Sequence, residues 1–272
     1  IIKVPLVVSG GIGNINHVEE CVKYSSVSGI ALASTLHFNQ LKINEIKQKV
    51  LNTSILNYDK KFNIKKNVNS VSILKTKLCN FRSLYNSLKK VCDVKVLDKD
   101  NVNSTHRLIL PGVGAFNELI NELDEEKLSF INEIYKKKLP ILGICLGAQI
   151  LFTTGYENQK TKGLNFIRGN VVNLKEFSKE EELITPNIGW VKTNFKKHKI
   201  FENISNPSNM YYIHSFNFKP DDESTIYANL EIKNTKFNAV CIKDNLIACQ
   251  FHPEKSGTNG LKLLSNFSNI DY

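Results

Sequence analysis

The sequence predicts an α/β fold in which an open, mostly parallel sheet carries a cysteine at a sharp turn. Short apolar segments alternate with amphipathic helical patterns between residues 71 and 145, as in parallel sheets that are covered by helices on both faces. Residues 143–147 (GICLG) follow an apolar strand pattern and precede a helical pattern at residues 148–152. Because glycine permits a tight bend on each side of the cysteine, this arrangement predicts a nucleophile elbow that presents Cys145.

The composition limits the possible classes of function. With 272 residues, of which 42% are hydrophobic, the chain can bury the core of one large or two smaller domains. It has no apolar run long enough for a membrane span, and residues 1–5 resemble a strand inside a domain rather than a secretion signal. The six cysteines show neither disulfide nor metal-ligand spacing, which fits a reducing compartment. We therefore expect a cytoplasmic protein that needs no metal or other cofactor and contacts no membrane.

The net charge of +10 invites a comparison with nucleic-acid-binding proteins. Only three of the 36 basic residues are arginine, however, and the lysines are scattered among many asparagines and isoleucines. Arginine forks and stacked aromatic side chains usually recognise nucleic acids, and no such motif accompanies these lysines. The composition therefore argues against a nucleic-acid partner, although a basic surface helps to attract a phosphorylated substrate.

The chain divides into two unequal pieces at a polar, lysine-rich stretch, which we interpret as a linker at residues 52–70. Residues 1–51 have the order strand, helix, strand, helix, with short loops of small residues after each strand. The predicted elements are strands at 4–8 and 29–33 and helices at 16–24 and 44–51. The glycine-rich loop at residues 9–13 either suits a phosphate group, through its backbone N–H groups, or is an ordinary tight turn.

Residues 71–272 form the second predicted domain. Its predicted elements up to the elbow are strands at 71–74, 94–97, 107–110 and 139–142 and helices at 81–91 and 117–138. From residue 167 the pattern changes to short strands and loops, and it ends with a strand at 247–251, a turn at His252 and a terminal helix. Cys145 is thus expected at the carboxyl end of a parallel strand, where open α/β sheets place their sites.

A nucleophilic cysteine needs a base, and the turn at residues 252–254 (HPE) supplies one. In extended backbone, residues i and i+2 point to the same side, so His252 can face Cys145 while Glu254 holds the other ring nitrogen. Such a carboxylate fixes the tautomer of the imidazole and stabilises its protonated form. We therefore predict a catalytic triad of Cys145, His252 and Glu254.

Residues 111–114 (PGVG), 143–149 and 250–257 (QFHPEKSG) resemble motifs of the class I, or triad, glutamine amidotransferases. Residues 186–190 (PNIGW) and 211–216 (YYIHSF) resemble two further motifs, those of the glutaminase subunits of imidazole glycerol phosphate synthases. The resemblance extends over residues 71–272. Three features depart from the usual pattern. The family usually has a glycine just ahead of the position of Asn80, where this sequence has residues 75–79 (KTKLC). Asn187 stands where histidine is common, and Phe216 stands where tyrosine is common.

The resemblance implies roles for individual residues. Cys145 attacks the side-chain amide of glutamine, while backbone N–H groups of Gly112, Val113 and Leu146 form the oxyanion hole. The family places substrate glutamine against three further positions, which are Gln149, Ser215 and Phe216. The ammonia that is released passes to a partner, a cyclase subunit with a (β/α)₈ barrel. In this family glutamine hydrolysis is slow until the synthase site is occupied.

Residues 1–51 resemble the last quarter of that cyclase barrel. The residues that match its phosphate-binding loops are Gly10, Gly11, Gly13 and Ser34. Two strands cannot close an eight-stranded barrel, so this piece alone is not expected to catalyse cyclisation. We expect the sequence to begin inside a longer open reading frame, as a cyclase–glutaminase fusion truncated at its front. The alternative is a vestigial segment with a separate, complete cyclase as partner.

Three other functions remain open at this point. The glutaminase can supply ammonia to a different synthase, such as one that amidates a surface sugar, and the unusual segment at residues 75–79 (KTKLC) favours this alternative. The fold can also belong to a non-catalytic assembly subunit, against which the complete triad argues. A cysteine hydrolase acting on another substrate is the third alternative, and Gln149 together with residues 214–216 argues against it.

Overall fold

The computed structural model describes residues 6–24, 27–38, 40–51, 69–97, 102–177, 183, 185–232 and 234–271. The chain falls into two compact units that divide between residues 62 and 63. The division lies inside the predicted linker, of which residues 52–68 are outside the described residues. Residues 4 and 5 of the first predicted strand are also outside them.

The described residues of unit 1 form two parallel strands and three helices. Its elements are β1 (Leu6–Ser9), α1 (Ile15–Lys23), β2 (Val27–Ala31), α2 (Ser34–His37) and α3 (Ile43–Leu51). Strands β1 and β2 pair in parallel, and a small apolar cluster forms around Ile12, Val18 and Leu41. The order agrees with the predicted strand, helix, strand, helix, with the one-turn helix α2 added.

In the part of unit 2 that the structure describes, nine strands form one sheet and four strands form a second sheet. Its strands in chain order are β3 (Ser70–Ile73), β4 (Asp93–Val96), β5 (Leu108–Gly112), β6 (Ile141–Cys145), β7 (Phe152–Gly155), β8 (Thr161–Lys162), β9 (Ile167–Asn173), β10 (Asn187–Phe195), β11 (Ser208–His214), β12 (Phe216–Pro220), β13 (Ile226–Ile232), β14 (Thr235–Lys243) and β15 (Leu246–Cys249). The helices are α4 (Phe81–Leu88), α5 (Phe116–Glu122), α6 (Glu125–Lys136), α7 (Leu146–Gln149) and α8 (Gly257–Asn269). Short 3₁₀ turns lie at Val102–Ser104, Leu174–Glu176, Lys199–Phe201, Glu223–Thr225 and Pro253–Lys255.

The large sheet has the strand order β11-β10-β13-β14-β15-β6-β5-β3-β4. The five strands from β15 to β4 are parallel to one another, and the four strands on the other side of β15 pair antiparallel. Every residue of the central strands β5, β6 and β15 is buried, as expected for parallel strands with cover on both faces. The predicted parallel sheet is therefore present.

Apolar side chains alternate between the two faces of this sheet and form a separate core on each. In β6, Leu142 and Ile144 pack into one cluster, whereas Ile141 packs into the other. The second sheet, with the order β12-β9-β7-β8, contributes Phe152 and Phe218, whose stacked rings lie 5.0 Å apart in the second cluster. Both cores thus enclose the strand that ends at the predicted nucleophile.

Two predicted helices have different limits in the structure. The predicted helix at residues 117–138 is two helices, because the Asp124 side chain accepts a hydrogen bond from the Lys127 N–H at 2.9 Å and starts α6 anew. The predicted helix at residues 148–152 ends at Gln149, and Phe152 already begins strand β7. Among the described residues, no helix combines the length and the apolar character needed to cross a bilayer.

Candidate active site

Cys145 occupies a strained turn between β6 and α7. Its backbone torsion angles are φ 53° and ψ −113°, in a region that residues other than glycine rarely adopt. A Cβ atom at Gly143 would lie 2.6 Å from Ala148 Cα, and one at Gly147 would overlap the carbonyl of Leu110. The two glycines therefore let α7 pack directly on the sheet, and the predicted nucleophile elbow is present.

The base lies at the end of the neighbouring strand β15. The His252 N–H donates to the carbonyl of Tyr211 at 2.9 Å, which fixes the backbone where the strand turns. The His252 Nδ1 atom lies 2.9 Å from Glu254 Oε1, and the imidazole lies close enough to Cys145 for the sulfur to influence its pKa. The side chains of His252 and Glu254 are 4% and 3% exposed. The structure thus brings the three predicted catalytic residues together in a buried line.

The electrostatic surroundings favour a protonated His252. Burial alone would lower the pKa of this imidazole, but its hydrogen bonds to Cys145 and Glu254 and their charges outweigh burial and raise the pKa to about 10. An imidazolium beside a sulfur atom stabilises a thiolate, which is the nucleophilic form of cysteine. The raised pKa of His252 therefore places a protonated imidazole beside the sulfur atom of Cys145.

A cleft of about 290 Å³ opens above Cys145. The predicted site residues that line it are Val113, Cys145, Leu146, Gln149, Ser215, Phe216 and His252. The lining residues that the sequence did not single out for the site are Asn80, Gly114, Glu157, Pro186, Ile213, His214 and Lys255. Gly112 lies beside the cleft, since it pairs with Cys145 between β5 and β6.

The backbone N–H groups that are predicted to form the oxyanion hole differ in whether they already have a hydrogen-bond acceptor. Leu146 is the first residue of α7, where a backbone N–H has no acceptor within its own helix. The Val113 N–H donates to the carbonyl of Leu78 at 2.9 Å. The Leu78 N–H in turn donates to the Glu122 carboxylate at 3.2 Å. In this conformation the N–H of Val113 is therefore committed to a backbone partner rather than to a ligand.

A buried histidine shapes the wall of the cleft. Asn187 Nδ2 lies 3.0 Å from His214 Nε2, and His214 Nδ1 lies 2.9 Å from the carbonyl of Phe216. Because a carbonyl only accepts, Nδ1 carries the proton and Nε2 accepts from the amide of Asn187. Burial lowers the pKa of His214 to about 4, against the hydrogen bond to Phe216. His214 is therefore a neutral structural residue.

Comparisons with known proteins agree with this geometry. A family profile for "Glutamine amidotransferase class-I" matches residues 45–270. The chain belongs to the class I glutamine amidotransferases. The match starts before the second predicted domain and includes the predicted linker at residues 52–70. All three triad residues, and all the other residues that line the cleft, fall inside it.

Curated relatives of this amidotransferase share about two fifths of its residues. It is 40% identical over 179 residues to the imidazole glycerol phosphate synthase subunit HisH of Pelagibacter ubique. The matched region covers 64% of this chain and 84% of that protein. It is also 40% identical over 181 residues to the subunit HisH of Caldanaerobacter subterraneus. That matched region covers 65% of this chain and 86% of the relative.

Solved structures share the fold at lower identity. PurLQS from Thermotoga maritima has a TM-score of 0.58 at 16% identity, and the match covers 75% of this amidotransferase and 99% of that chain. A second structure, a glutamine amidotransferase, has a TM-score of 0.56 at 17% identity, and the match covers 74% of this chain and 99% of that chain. These likenesses show that about three quarters of the chain shares its fold with these two structures.

The predicted phosphate-binding residues of the amidotransferase lie in unit 1. Gly10 and Gly11 follow β1 with φ angles of 90° and 70°. The Gly13 N–H donates to His17 Nδ1 at 3.1 Å, and Ser34 starts helix α2. Gly10 and Gly11 thus have positive φ angles and open space around them, whereas the N–H of Gly13 is bonded to a side chain.

Proposed function

We propose that this amidotransferase is the glutaminase subunit of an imidazole glycerol phosphate synthase. It hydrolyses glutamine to glutamate and ammonia, and it passes the ammonia to a cyclase partner in histidine biosynthesis. The observation that carries the proposal is the assembled triad at the base of the cleft, in a chain that is 40% identical to two HisH subunits.

The triad performs the hydrolysis in two stages. The Cys145 thiolate attacks the carbon of the side-chain amide, and the N–H of Leu146 stabilises the negative oxygen that results. His252 gives its proton to the nitrogen, so that ammonia leaves and a thioester remains on Cys145. Water then adds to the thioester, with His252 as base, and glutamate leaves as the thiolate is restored. Glu254 holds His252 in position throughout.

The cleft offers complementary groups for the amino-acid end of glutamine. Gln149 uses both hydrogens of its amide nitrogen, because Nε2 donates to Phe216 O at 3.1 Å and to Gln250 Oε1 at 3.0 Å. Its oxygen is then the atom available to accept from an ammonium group. Glu157 supplies a carboxylate to the same cleft, and burial raises its pKa despite the hydrogen bond from the Phe116 N–H. We assign Gln149 and Glu157 to the α-ammonium of glutamine, and Ser215 and Phe216 to the part of the cleft lining next to Gln149.

The oxyanion hole is incomplete in the present conformation. Gly112 and Val113 contribute a donor only if the Val113 N–H leaves the carbonyl of Leu78. With a single donor, the negative oxygen of the intermediate loses stabilisation that is worth about 2.7–4 kcal/mol. We therefore expect slow hydrolysis by the isolated chain, and faster hydrolysis when the partner reorganises residues 111–114.

Unit 1 is proposed to be a piece of a cyclase barrel. Its parallel pair of strands and the helix between them support this assignment, as do the glycine-rich loop at Gly10 and Gly11 and the helix start at Ser34. Gly13 completes the proposed phosphate-binding set once its N–H leaves His17. We also propose a cytoplasmic location, which the six free cysteines support.

The test measures glutamate release from glutamine, with a complete cyclase subunit and its ribulosyl ligand present or absent. We expect the ligand-loaded cyclase to stimulate release and Cys145→Ala to abolish it. If no stimulation occurs while a glutamine-analogue electrophile still labels Cys145, the ammonia acceptor is a different synthase. Absence of labelling as well would contradict the catalytic assignment.

A further inference from the structure

Gln250 lies beside the nucleophile and is completely buried. It directly follows β15, and its N–H donates to the carbonyl of Ala239 at 2.9 Å. Because residues i and i+2 of extended backbone point to the same side, Gln250 and His252 both reach Cys145. The Gln250 Nε2 atom donates to the Cys145 sulfur at 3.7 Å. The mechanism above uses His252 and leaves Gln250 without a role.

The orientation of the Gln250 amide is fixed by its neighbours. Its oxygen accepts from Gln149 Nε2 at 3.0 Å and from Asn217 Nδ2 at 3.5 Å. Both of these donors are themselves anchored on backbone groups. Gln149 Nε2 donates to the carbonyl of Phe216, and Asn217 exchanges two hydrogen bonds with the backbone of Asn238, at 2.7 and 3.0 Å.

A flipped Gln250 amide would place its own N–H groups against these two donors, so the N–H groups that Gln149 and Asn217 direct at Gln250 would have no acceptor in a buried site. The chain of amides therefore has one consistent direction. It directs the N–H of Gln250 at Cys145.

This donor matters for the ionised form of the nucleophile. As a thiol, Cys145 donates to the carbonyl of Ile213 at 3.6 Å. As a thiolate it has no hydrogen to donate, and its sulfur then accepts from the imidazolium of His252 and from the amide of Gln250. A hydrogen bond to the charged form favours that form. Unlike His252, an amide donor keeps its proton at every step of the reaction.

We propose that Gln250 is a positioning residue that stabilises the Cys145 thiolate with its N–H and orients Gln149 toward the substrate with its oxygen. This inference deepens the proposed function and rests on it for the role of Gln149. One side chain then couples the ionisation of the nucleophile to the residue that holds the α-ammonium of glutamine. Its two ends have separable effects, since one acts on sulfur and the other on substrate binding.

The experiment compares Gln250→Met, which removes both polar ends, with Gln250→Glu, which keeps an oxygen for Gln149 and Asn217 but faces the sulfur with a carboxylate. Alkylation of Cys145 by iodoacetamide is followed over pH by mass spectrometry of its peptide. At a pH where the wild-type sulfur is ionised, we expect both variants to react about 10- to 100-fold more slowly, because each loses a hydrogen bond to a charged group.

Steady-state kinetics of glutamate release, with the cyclase and its ribulosyl ligand present, separate the two ends of the side chain. We expect kcat to fall in both variants and KM for glutamine to rise only in Gln250→Met. The matched control is Asn245→Leu, which removes another buried amide whose Nδ2 donates to the carbonyl of Leu139 at 2.6 Å. Asn245 precedes β15, at the opposite end of that strand from Gln250. Thermal unfolding of every variant accompanies the assays.

The proposal is overturned if the alkylation profile of Gln250→Met coincides with that of the wild type, or if Asn245→Leu shifts it equally. Equal KM changes in the two Gln250 variants would overturn the role toward Gln149. If the wild type hydrolysed no glutamine in any assay while Gln250→Met still shifted the alkylation profile, the proposed function would fail. The effect of Gln250 on Cys145 would then stand by itself.

Discussion

The carboxylate of Glu254 lies 2.9 Å from Nδ1 of His252, and the two side chains are buried together. Only Pro253 separates them in the chain, and it begins the 3₁₀ turn that brings the carboxylate back to the ring. The contact determines which ring nitrogen faces Glu254 and leaves the other for Cys145. Three consecutive residues therefore set both the position and the charge of the base.

Replacing the carboxylate by an amide is expected to disable this base. Glu254→Gln keeps the size of the side chain but removes the charge that favours the imidazolium, so the pKa of His252 falls. We expect kcat for glutamine hydrolysis to drop by about 10²- to 10⁴-fold. Glutamate release and the pH profile of Cys145 alkylation measure the two effects. Glu176→Gln, which changes an exposed carboxylate, is the control, and similar activity in both variants would contradict the assignment.

The positive φ of Cys145 predicts an unusual order of stability among inactive variants. Alanine at this position retains the backbone strain, whereas glycine adopts φ 53° without it. We therefore expect Cys145→Gly to be more stable than Cys145→Ala by about 1 kcal/mol, although glycine gains entropy in the unfolded chain. Urea denaturation compares the free energies of unfolding. A less stable glycine variant would show that the turn carries no strain.

His214 predicts a loss of stability in acid. Its pKa is about 4 in the folded chain and about 6.5 when unfolded, so the unfolded state binds the proton first. The stabilisation is thus present above pH 6.5 and is lost as the pH falls toward 4, by up to about 3 kcal/mol.

Chemical denaturation of the wild type and of His214→Asn over this pH range isolates the contribution of His214. We expect the variant to show a flatter pH dependence of the free energy of unfolding. His106→Asn, at an exposed histidine, is the control and should retain the wild-type slope. Parallel curves for the wild type and His214→Asn would contradict the assignment of a neutral, buried imidazole.

Glu157 predicts a defect in binding rather than in chemistry. Glu157→Gln removes the carboxylate charge from the cleft, so the α-ammonium of glutamine would lose the ionic partner that we propose for it. We expect the concentration of glutamine that protects Cys145 from alkylation to rise about 10- to 100-fold. Glu118→Gln changes a neighbouring exposed carboxylate and is the matched control. Unchanged protection in Glu157→Gln would remove this residue from the substrate site.

The sequence carries enough information for the triad and for the central sheet. The elbow needs glycine around Cys145, and the base needs two residues at a spacing of two, so both leave local patterns. Glu157 leaves none, because its place in the cleft depends on how β7 packs beside α5. The sequence also does not predict that the Val113 N–H donates to Leu78. The carboxylate of Glu122 on α5 accepts hydrogen bonds from the backbone of residues 77–78, and no local pattern indicates this contact.

The ends of the helices also depend partly on local sequence and partly on contacts with distant strands. The break between α5 and α6 has a local signal in Asp124, a good N-cap that interrupts an otherwise continuous helical pattern. The early end of α7 has no such signal. Residues after Gln149 are apolar enough for either structure, and strand β7 forms because it pairs with β8 and β9.

The elbow is not expected to tolerate substitution of Gly143 or Gly147. Each stands where backbone already occupies the space of a Cβ atom. Every missense change in a glycine codon introduces at least a methyl group. We therefore expect every amino-acid replacement at either position to impair function. The same two positions offer a genetic test that requires no purified protein. Saturation mutagenesis under selection for histidine prototrophy should return glycine alone at both.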